Sequence, residues 1–499
     1  MKKKLVIIGG GVSGLTAGIY AQKNGFKSMV IEKHNIPGGE LTGWYRDGNY
    51  IDGCIHWLMG TKKGTEMRSV WEEIGAIDDD NIIKMDYFTV FKSHLGDITI
   101  WRDTKKFKEE LLQKAQEDKK AINEFIRYIN ESKTLEIPAK KRLSERNFFE
   151  LISFGIPLIP AAVAHGKAGK YSLFEFSKKF KNPLLVNFFN SIFSPDHNLY
   201  SFCVALGSFM DGNADIPKGG SLDMAQRIAR KYQSLGGKLV LNTNVDKANI
   251  KDNKIVSFLA TNLKTKEEIE IDDFDYAIFS CDADVAYHKI LDNKYNDPIF
   301  EARFNDSKRY PILSCCLVSF AVDTDMSKYP HSVMVETKPF MVGKTKQHKI
   351  SFRNYYYYKN KSGKTTLISM VTQNGESYDY WKKLYDEDNK KYHDEKMKVA
   401  DLFKAEYLKL FPELEGKIEF LDMTTPLTYE HYLNAFKGGY ISFKKTKNTK
   451  WKSHHGAIDG LKNALISGQW TQIPGGAPPA ATSGKFSIAD LKKIVKKDK

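Results

Sequence analysis

Residues 4–32 constrain the fold more tightly than any other stretch of the chain. A short apolar run, Lys4 to Ile8, ends in Gly9-Gly10-Gly11-Val12-Ser13-Gly14, where glycines 9, 11 and 14 have the spacing G-x-G-x-x-G. A continuous apolar run closed by glycines predicts a buried strand. The helix predicted over 13–24 has Leu15, Ile19 and Ala21 among its inner residues and stops at Gly25. A second strand follows at 28–32, ending in Glu32. This is a βαβ opening with parallel strands. Gly9 permits the tight turn, Gly11 lets a pyrophosphate approach the backbone, and Gly14 lets the helix pack closely on the strand. The helix N-terminus, at Val12 and Ser13, offers N–H groups and positive dipole to phosphate. Glu32, at the end of the second strand, is placed to accept from ribose hydroxyls, and Lys33 follows it. An acid there disfavours a 2′-phosphate.

Further glycine-rich text stands elsewhere. Pro37-Gly38-Gly39 follows the second strand. Gly219-Gly220-Ser221 opens a mid-chain helix, followed by Gly236-Gly237, a strand at 238–241 and Val245. A late strand, Ala464 to Ser467, leads into Gly468-Gln469-Trp470, then Gly475-Gly476-Ala477-Pro478-Pro479 and a helix from about 478. Proline suits a first helical turn because its missing N–H costs nothing there. Nucleotide-type text thus occurs at the start, middle and end of the 499 residues. The text between is of another kind. Residues 105–200 read as amphipathic helices, 310–375 as aromatic-rich strands that include Arg353 and Tyr355 to Tyr358, and 381–411 as helical.

Composition narrows the class. Lys and Arg number 76 against 61 Asp and Glu, a formal net charge of +15. The lysines are spread along the whole chain, so a lysine-rich surface accounts for them and no nucleic-acid partner is expected. Five cysteines without C-x-x-C spacing predict neither a disulfide framework nor a metal site, and fit a reducing, cytoplasmic setting. The apolar start is too short for a signal peptide. Leu151 to Ala164, the longest apolar stretch, is interrupted by Pro157 and Pro160 and is expected to fall short of a membrane span.

With these pieces in order, the chain resembles the FAD-dependent superfamily that includes phytoene desaturases, carotenoid isomerases, retinol saturases and amine oxidases. The segment Asp52-Gly53-Cys54-Ile55-His56-Trp57 is similar to the retinol-saturase and carotenoid-isomerase branch. Pro217 to Ser221, Ser280-Cys281-Asp282-Ala283-Asp284 and Gly468 to Pro478 match further family segments. Glu40 stands where many relatives place an arginine.

The resemblance implies an α/β fold, with a discontinuous Rossmann-type FAD-binding domain and an inserted α+β substrate domain. The FAD-binding parts are expected at 1–105, 206–290 and 431–499. Substrate-domain parts are expected at 106–205, helical, and 291–430, sheet plus helices. Gly9, Gly11, Val12, Ser13, Gly14, Glu32, Lys33, Gly38, Gly39, Val245, Gly468, Trp470, Gly475, Gly476 and Ala477 would bind FAD, with NAD(P)H left open as an external electron donor. His56, as an acid near neutral pH, and Tyr440, close to the flavin motif, are the catalytic candidates.

The implied activity is addition or removal of hydrogen across C–C bonds of an apolar isoprenoid, polyene or lipid. The alternatives are an FAD-dependent isomerase or hydratase without net redox, and amine oxidation. Such a substrate suggests an anionic membrane surface as a partner and a peripheral location at the inner membrane face. Residues 151–164 are a candidate for shallow insertion, and Phe188, Phe189 and Phe193 for an apolar tunnel. Basic text for the contact is Lys444, Lys445, Lys447, Lys450 and Lys452 around Trp451, and Lys492, Lys493, Lys496, Lys497 and Lys499 in the tail.

Overall fold

In the computed structural model, which describes residues 2–446, 448–450 and 452–497, β1 (Lys4–Ile8) is the centre of a five-stranded parallel sheet. Its helix α1 is Val12–Lys23 and its neighbour β2 is Lys27–Ile31. The mid-chain supplies α2 (Gly220–Ser234), β3 (Lys238–Val240) and β4 (Tyr276–Phe279); the C-terminal part supplies β5 (Ala464–Ile466) and α3 (Ala477–Lys497). The order is β3-β2-β1-β4-β5, every pairing parallel. Three separated stretches of sequence therefore build one sheet.

The apolar runs are continuous because both faces of this sheet are covered. Leu5 and Ile7 point to a core shared with α1, α2 and α3. Val6 and Ile8 point to the other face, against an antiparallel three-stranded sheet of Thr243–Lys251, Lys254–Asn262 and Glu268–Ile271. Close approach sets two glycines. A Cβ on Gly14 would lie 1.9 Å from the Gly9 carbonyl oxygen, and one on Gly484 of α3 would lie 2.2 Å from the Ser13 oxygen of α1.

The second sheet has seven strands, in the order Ile418–Met423, Ser314–Val322, Thr365–Gln373, Thr345–Asn354, Ser332–Val342, Tyr87–Ser93 and Gly96–Trp101. Its pairings are antiparallel except that of Ser332–Val342 with Tyr87–Ser93. Helices Gly375–Glu387 and Asn389–Leu410 cover one face. A helical layer from about 104 to 210 packs around Phe125, Phe176, Phe189 and Phe202.

Several expectations change here. The strands 87–93 and 96–101 fall inside the expected 1–105 nucleotide segment, yet they hydrogen-bond to the second sheet. Tyr355 to Tyr358 form the turn after Thr345–Asn354 and do not alternate along a strand. The helix expected over 381–411 is two helices, parted at Asp388, whose side chain caps the second. Phe188 and Phe189 are buried in the helical core, and only Phe193 of that trio reaches the cavity.

Pro157 and Pro160 do not interrupt the apolar stretch. Each sits in the first turn of a short helical segment, where no N–H is missed, so helix runs from Phe148 to Ala168. At 21 residues it is long and apolar enough to cross a membrane, contrary to the expectation from its prolines.

Candidate functional site

A cavity of about 970 Å³ opens at the C-terminal ends of β1, β2, β4 and β5 and continues beneath the seven-stranded sheet. This is where open α/β sheets place ligands. Gly9 turns at φ 105° after β1, and α1 begins at Val12 with its N-terminal N–H groups facing the cavity. The first turn of α3, from Ala477, opens into the same space. Two helix dipoles thus bring positive ends to one cavity.

Three glycines leave open space beside the backbone at the cavity wall. A Cβ on Gly11 would meet nothing of the protein closer than 3.8 Å, and one on Gly468 or Gly476 nothing within 4 Å. Backbone conformation asks for glycine at Gly468 (φ 131°) and Gly476 (φ 111°), whereas at Gly11 neither φ nor protein packing does, and the space beside it faces the cavity. A dinucleotide laid against backbone uses such space.

Glu32 is buried. Its Oε2 accepts from the Gly10 N–H at 2.6 Å and its Oε1 from the His34 N–H at 2.7 Å. Burial raises its pKa against the opposing effect of those bonds. Each oxygen keeps a second lone pair for a ribose hydroxyl. The neighbouring Lys33 reaches across, its Nζ donating to the His431 carbonyl at 3.0 Å and to Asn434 Oδ1 at 2.8 Å. Val245 adds an apolar wall. Ser13 Oγ donates to Ser467 Oγ at 3.0 Å, and Ser467 lies 2.6 Å from Ser280 Oγ, which ties the first turn of α1 to the ends of β4 and β5.

The C-terminal loop closes the other side. Gly468 N–H donates to Ser483 Oγ at 3.0 Å, the Trp470 ring is buried against Phe443, and the Gly476 N–H donates to Gln469 Oε1 at 2.9 Å. Gln469 Nε2 in turn donates to Glu40, joining this loop to the one after Gly38 and Gly39. Burial pushes the Glu40 carboxyl well up. Asp282, also in the wall, is pushed up to about 7 by burial.

The two catalytic candidates, His56 and Tyr440, both line the cavity. His56 Nε2 lies 3.0 Å from Met370 Sδ, and its Nδ1 is buried without a partner. Burial, and then Arg353, hold its pKa well below the usual value, so the ring is neutral and is not the acid expected from the sequence. Tyr440 donates its hydroxyl proton to the Cys54 carbonyl, and burial holds that proton firmly. It fixes the 54–57 segment in place.

Among the wall residues that sequence reading did not single out are Lys349 and His197. Their local text is unremarkable, and only the alternation of strand 345–354 hinted that Lys349 shares a face with Arg353. Tyr355 to Tyr358 do not line the cavity; Arg353 does.

Known proteins agree with this arrangement. The profile of the family described as flavin containing amine oxidoreductase matches residues 12–487. Prolycopene isomerase 1 of an Oncidium hybrid cultivar is 26% identical over 275 residues, covering 52% of this chain and 45% of that protein. The match thus spans less than half the length of that curated relative. An oxidoreductase from Methanosarcina mazei superposes with a TM-score of 0.60 at 15% identity, covering 98% of this chain and 100% of the other. A putrescine oxidase variant gives 0.61 at 13% identity over 99% of both. These structures share the fold. A profile that runs from the first helical residue after Gly11 to within α3, over a cavity whose glycines are kept clear at both ends, places this chain in the flavin containing amine oxidoreductase family.

Proposed function

We propose that this protein is an FAD-dependent oxidoreductase that adds or removes hydrogen across a C–C bond of an apolar isoprenoid, polyene or lipid. The observation that carries this reading is the continuity of the cavity. From the glycine-lined cradle it passes without a break into walls of Trp57, Phe88, Ile192, Phe193, Met334 and Met370. Bound FAD supplies the hydride chemistry. The chain's part is to hold the substrate's bond against the ring and exclude water. Neutral His56 and the committed hydroxyl of Tyr440 suit that passive role. Amine oxidation finds less support, because Arg353 lines the substrate end without a carboxylate partner among the described residues and repels an ammonium group.

The likeness to a prolycopene isomerase favours a second reading, isomerisation of an unsaturated lipid without net redox. Anaerobic incubation with polyenes, unsaturated fatty acids and amines separates them. Flavin reduced or reoxidised in step with product marks the oxidoreductase, and product formed with the flavin's redox state unchanged marks the isomerase. Turnover of amines alone overturns both. Addition of NADH or NADPH tests the external donor.

We further propose that the substrate is collected at an anionic membrane surface. Along helix Phe148–Ala168 the side chains Phe148, Phe149, Ile156 and Ile159 are 70%, 79%, 60% and 57% exposed. Lys140, Lys167 and Lys170 stand exposed at its ends. His165, near its C-terminal end, is within electrostatic reach of Lys445, a residue of the cavity wall. An apolar face flanked by lysines suits interfacial binding. Of the basic text considered for this contact, Lys447, Trp451 and Lys499 lie outside the described residues.

A further inference from the structure

Two of the cations in the cavity wall, Lys349 and Arg353, stand on one strand, apart from the cofactor cradle. Strand Thr345–Asn354 alternates: Ile350 and Phe352 enter the core beneath the helices, while Lys349, Ser351 and Arg353 face the cavity. Neither cation makes an ion pair with a carboxylate among the described residues. Lys349 Nζ donates to the carbonyl of Ser191, and Arg353 Nη1 donates to the carbonyl of His56 at 3.2 Å.

Their roles differ by position. Arg353 supports the His56 segment and lies 5.8 Å from the centre of the Trp57 ring. Lys349 is four residues away on the same strand face, about 13 Å along the strand. Around it, His197 stacks on Phe193 at 5.0 Å, and Lys444 is held by Asp196 at 2.8 Å and Ser194 Oγ at 2.9 Å. Burial pushes His197 down to about 4, so it is neutral. Lys444 is balanced by Asp196, whereas Lys349 has no carboxylate partner among the described residues.

We propose that Lys349 binds the carboxylate of a long-chain unsaturated fatty acid, whose chain then runs along the strand past Met370 toward Arg353, His56 and the cofactor cradle. This rests on the C–C reading above and narrows its substrate class. Apolar walls between the two cations, at Ile192, Phe193, Met334 and Met370, accept the chain. Lys349 shows the cost of lacking an anion: burial alone pushes its ammonium down to about 7. A bound carboxylate would supply the missing charge-assisted hydrogen bond.

The test titrates the flavin-loaded protein with linoleate, methyl linoleate and squalene, reading perturbation of the flavin spectrum. Linoleate is expected to bind at least tenfold more tightly than its methyl ester. Lys349→Gln should abolish that preference and Lys349→Arg should keep it, with flavin content unchanged in both. Equal affinity for acid and ester in the unaltered protein overturns the proposal, whether or not the Gln variant folds, as does an undiminished preference in Lys349→Gln. Binding of squalene and ester without any preference for the acid removes the head-group site but leaves the C–C reading. Failure of all three to bind overturns both.

Discussion

Asp52 and Ser221 stand 169 residues apart in the chain and meet at the N-terminus of α2. The Ser221 N–H donates to Asp52 Oδ2 at 3.0 Å and its hydroxyl donates to Oδ1, while the Cys54 N–H donates to Oδ1 at 3.1 Å. Ser221 Oγ also accepts from the Ile55 N–H at 2.8 Å. One buried carboxylate thus joins the helix that covers the cradle to the segment carrying His56. Asp52→Ala leaves these donors without an acceptor. It should destabilise the fold by about 2–4 kcal/mol, read from urea denaturation of the flavin-loaded protein, whereas an unchanged midpoint would show that the joint is dispensable.

Two glycines of one turn should separate cleanly. Gly11→Ala introduces a methyl that meets no protein atom closer than 3.8 Å, at an ordinary φ of −71°. Its melting temperature without cofactor should stay near that of the parent, while FAD affinity falls by tenfold or more. Gly14→Ala drives a methyl to 1.9 Å from the Gly9 oxygen. That variant should lose about 2–3 kcal/mol of stability. Equal FAD affinity in Gly11→Ala and the parent would show that no ligand uses this space.

Glu32→Ala removes the acceptor of two backbone N–H groups and of the expected ribose hydroxyls. FAD affinity should fall by about 1.5–3 kcal/mol, roughly ten- to a hundredfold, in a fluorescence titration of the cofactor-free protein. Undiminished affinity would place the ribose elsewhere.

Asp282 gives a pH signature. Its folded pKa, about 7, lies above the unfolded carboxylate value because of burial. The folded state therefore holds a proton that the unfolded chain releases, so the contribution of Asp282 to stability is greatest below about pH 4 and declines as pH rises toward 7. Asp282→Asn keeps the shape and removes the titration. Between pH 4.5 and 7 the parent should lose about 3 kcal/mol relative to this variant, measured by denaturation at each pH. Parallel profiles would mean that Asp282 is ionised throughout.

The exposed helix predicts vesicle binding. The parent protein should sediment with anionic vesicles at low salt and less at high salt, where lysine contacts are screened. Replacing Phe148, Phe149 and Ile156 together by Ser should lower the bound fraction at least threefold without changing flavin content. Equal and negligible sedimentation in all conditions would eliminate the membrane contact.

The sequence by itself determined what depends on neighbours within a few residues. Glycines 9, 11 and 14 after an apolar run dictate a strand, a turn and a helix, because sterics and hydrogen bonding act locally there. Gly475 to Pro479 likewise dictates a loop that opens a helix. Tertiary structure decided what depends on burial by distant segments. The Asp52–Ser221 joint, the neutral state of His56, the raised pKa of Glu40 and the lowered pKa of Lys349 all arise when residues far apart in sequence exclude water from one another. Even the helix at Phe148–Ala168 follows this division. Its apolar character is legible in its residues, but its outward face is set by how the layer from about 104 to 210 packs, and no local pattern carries that information.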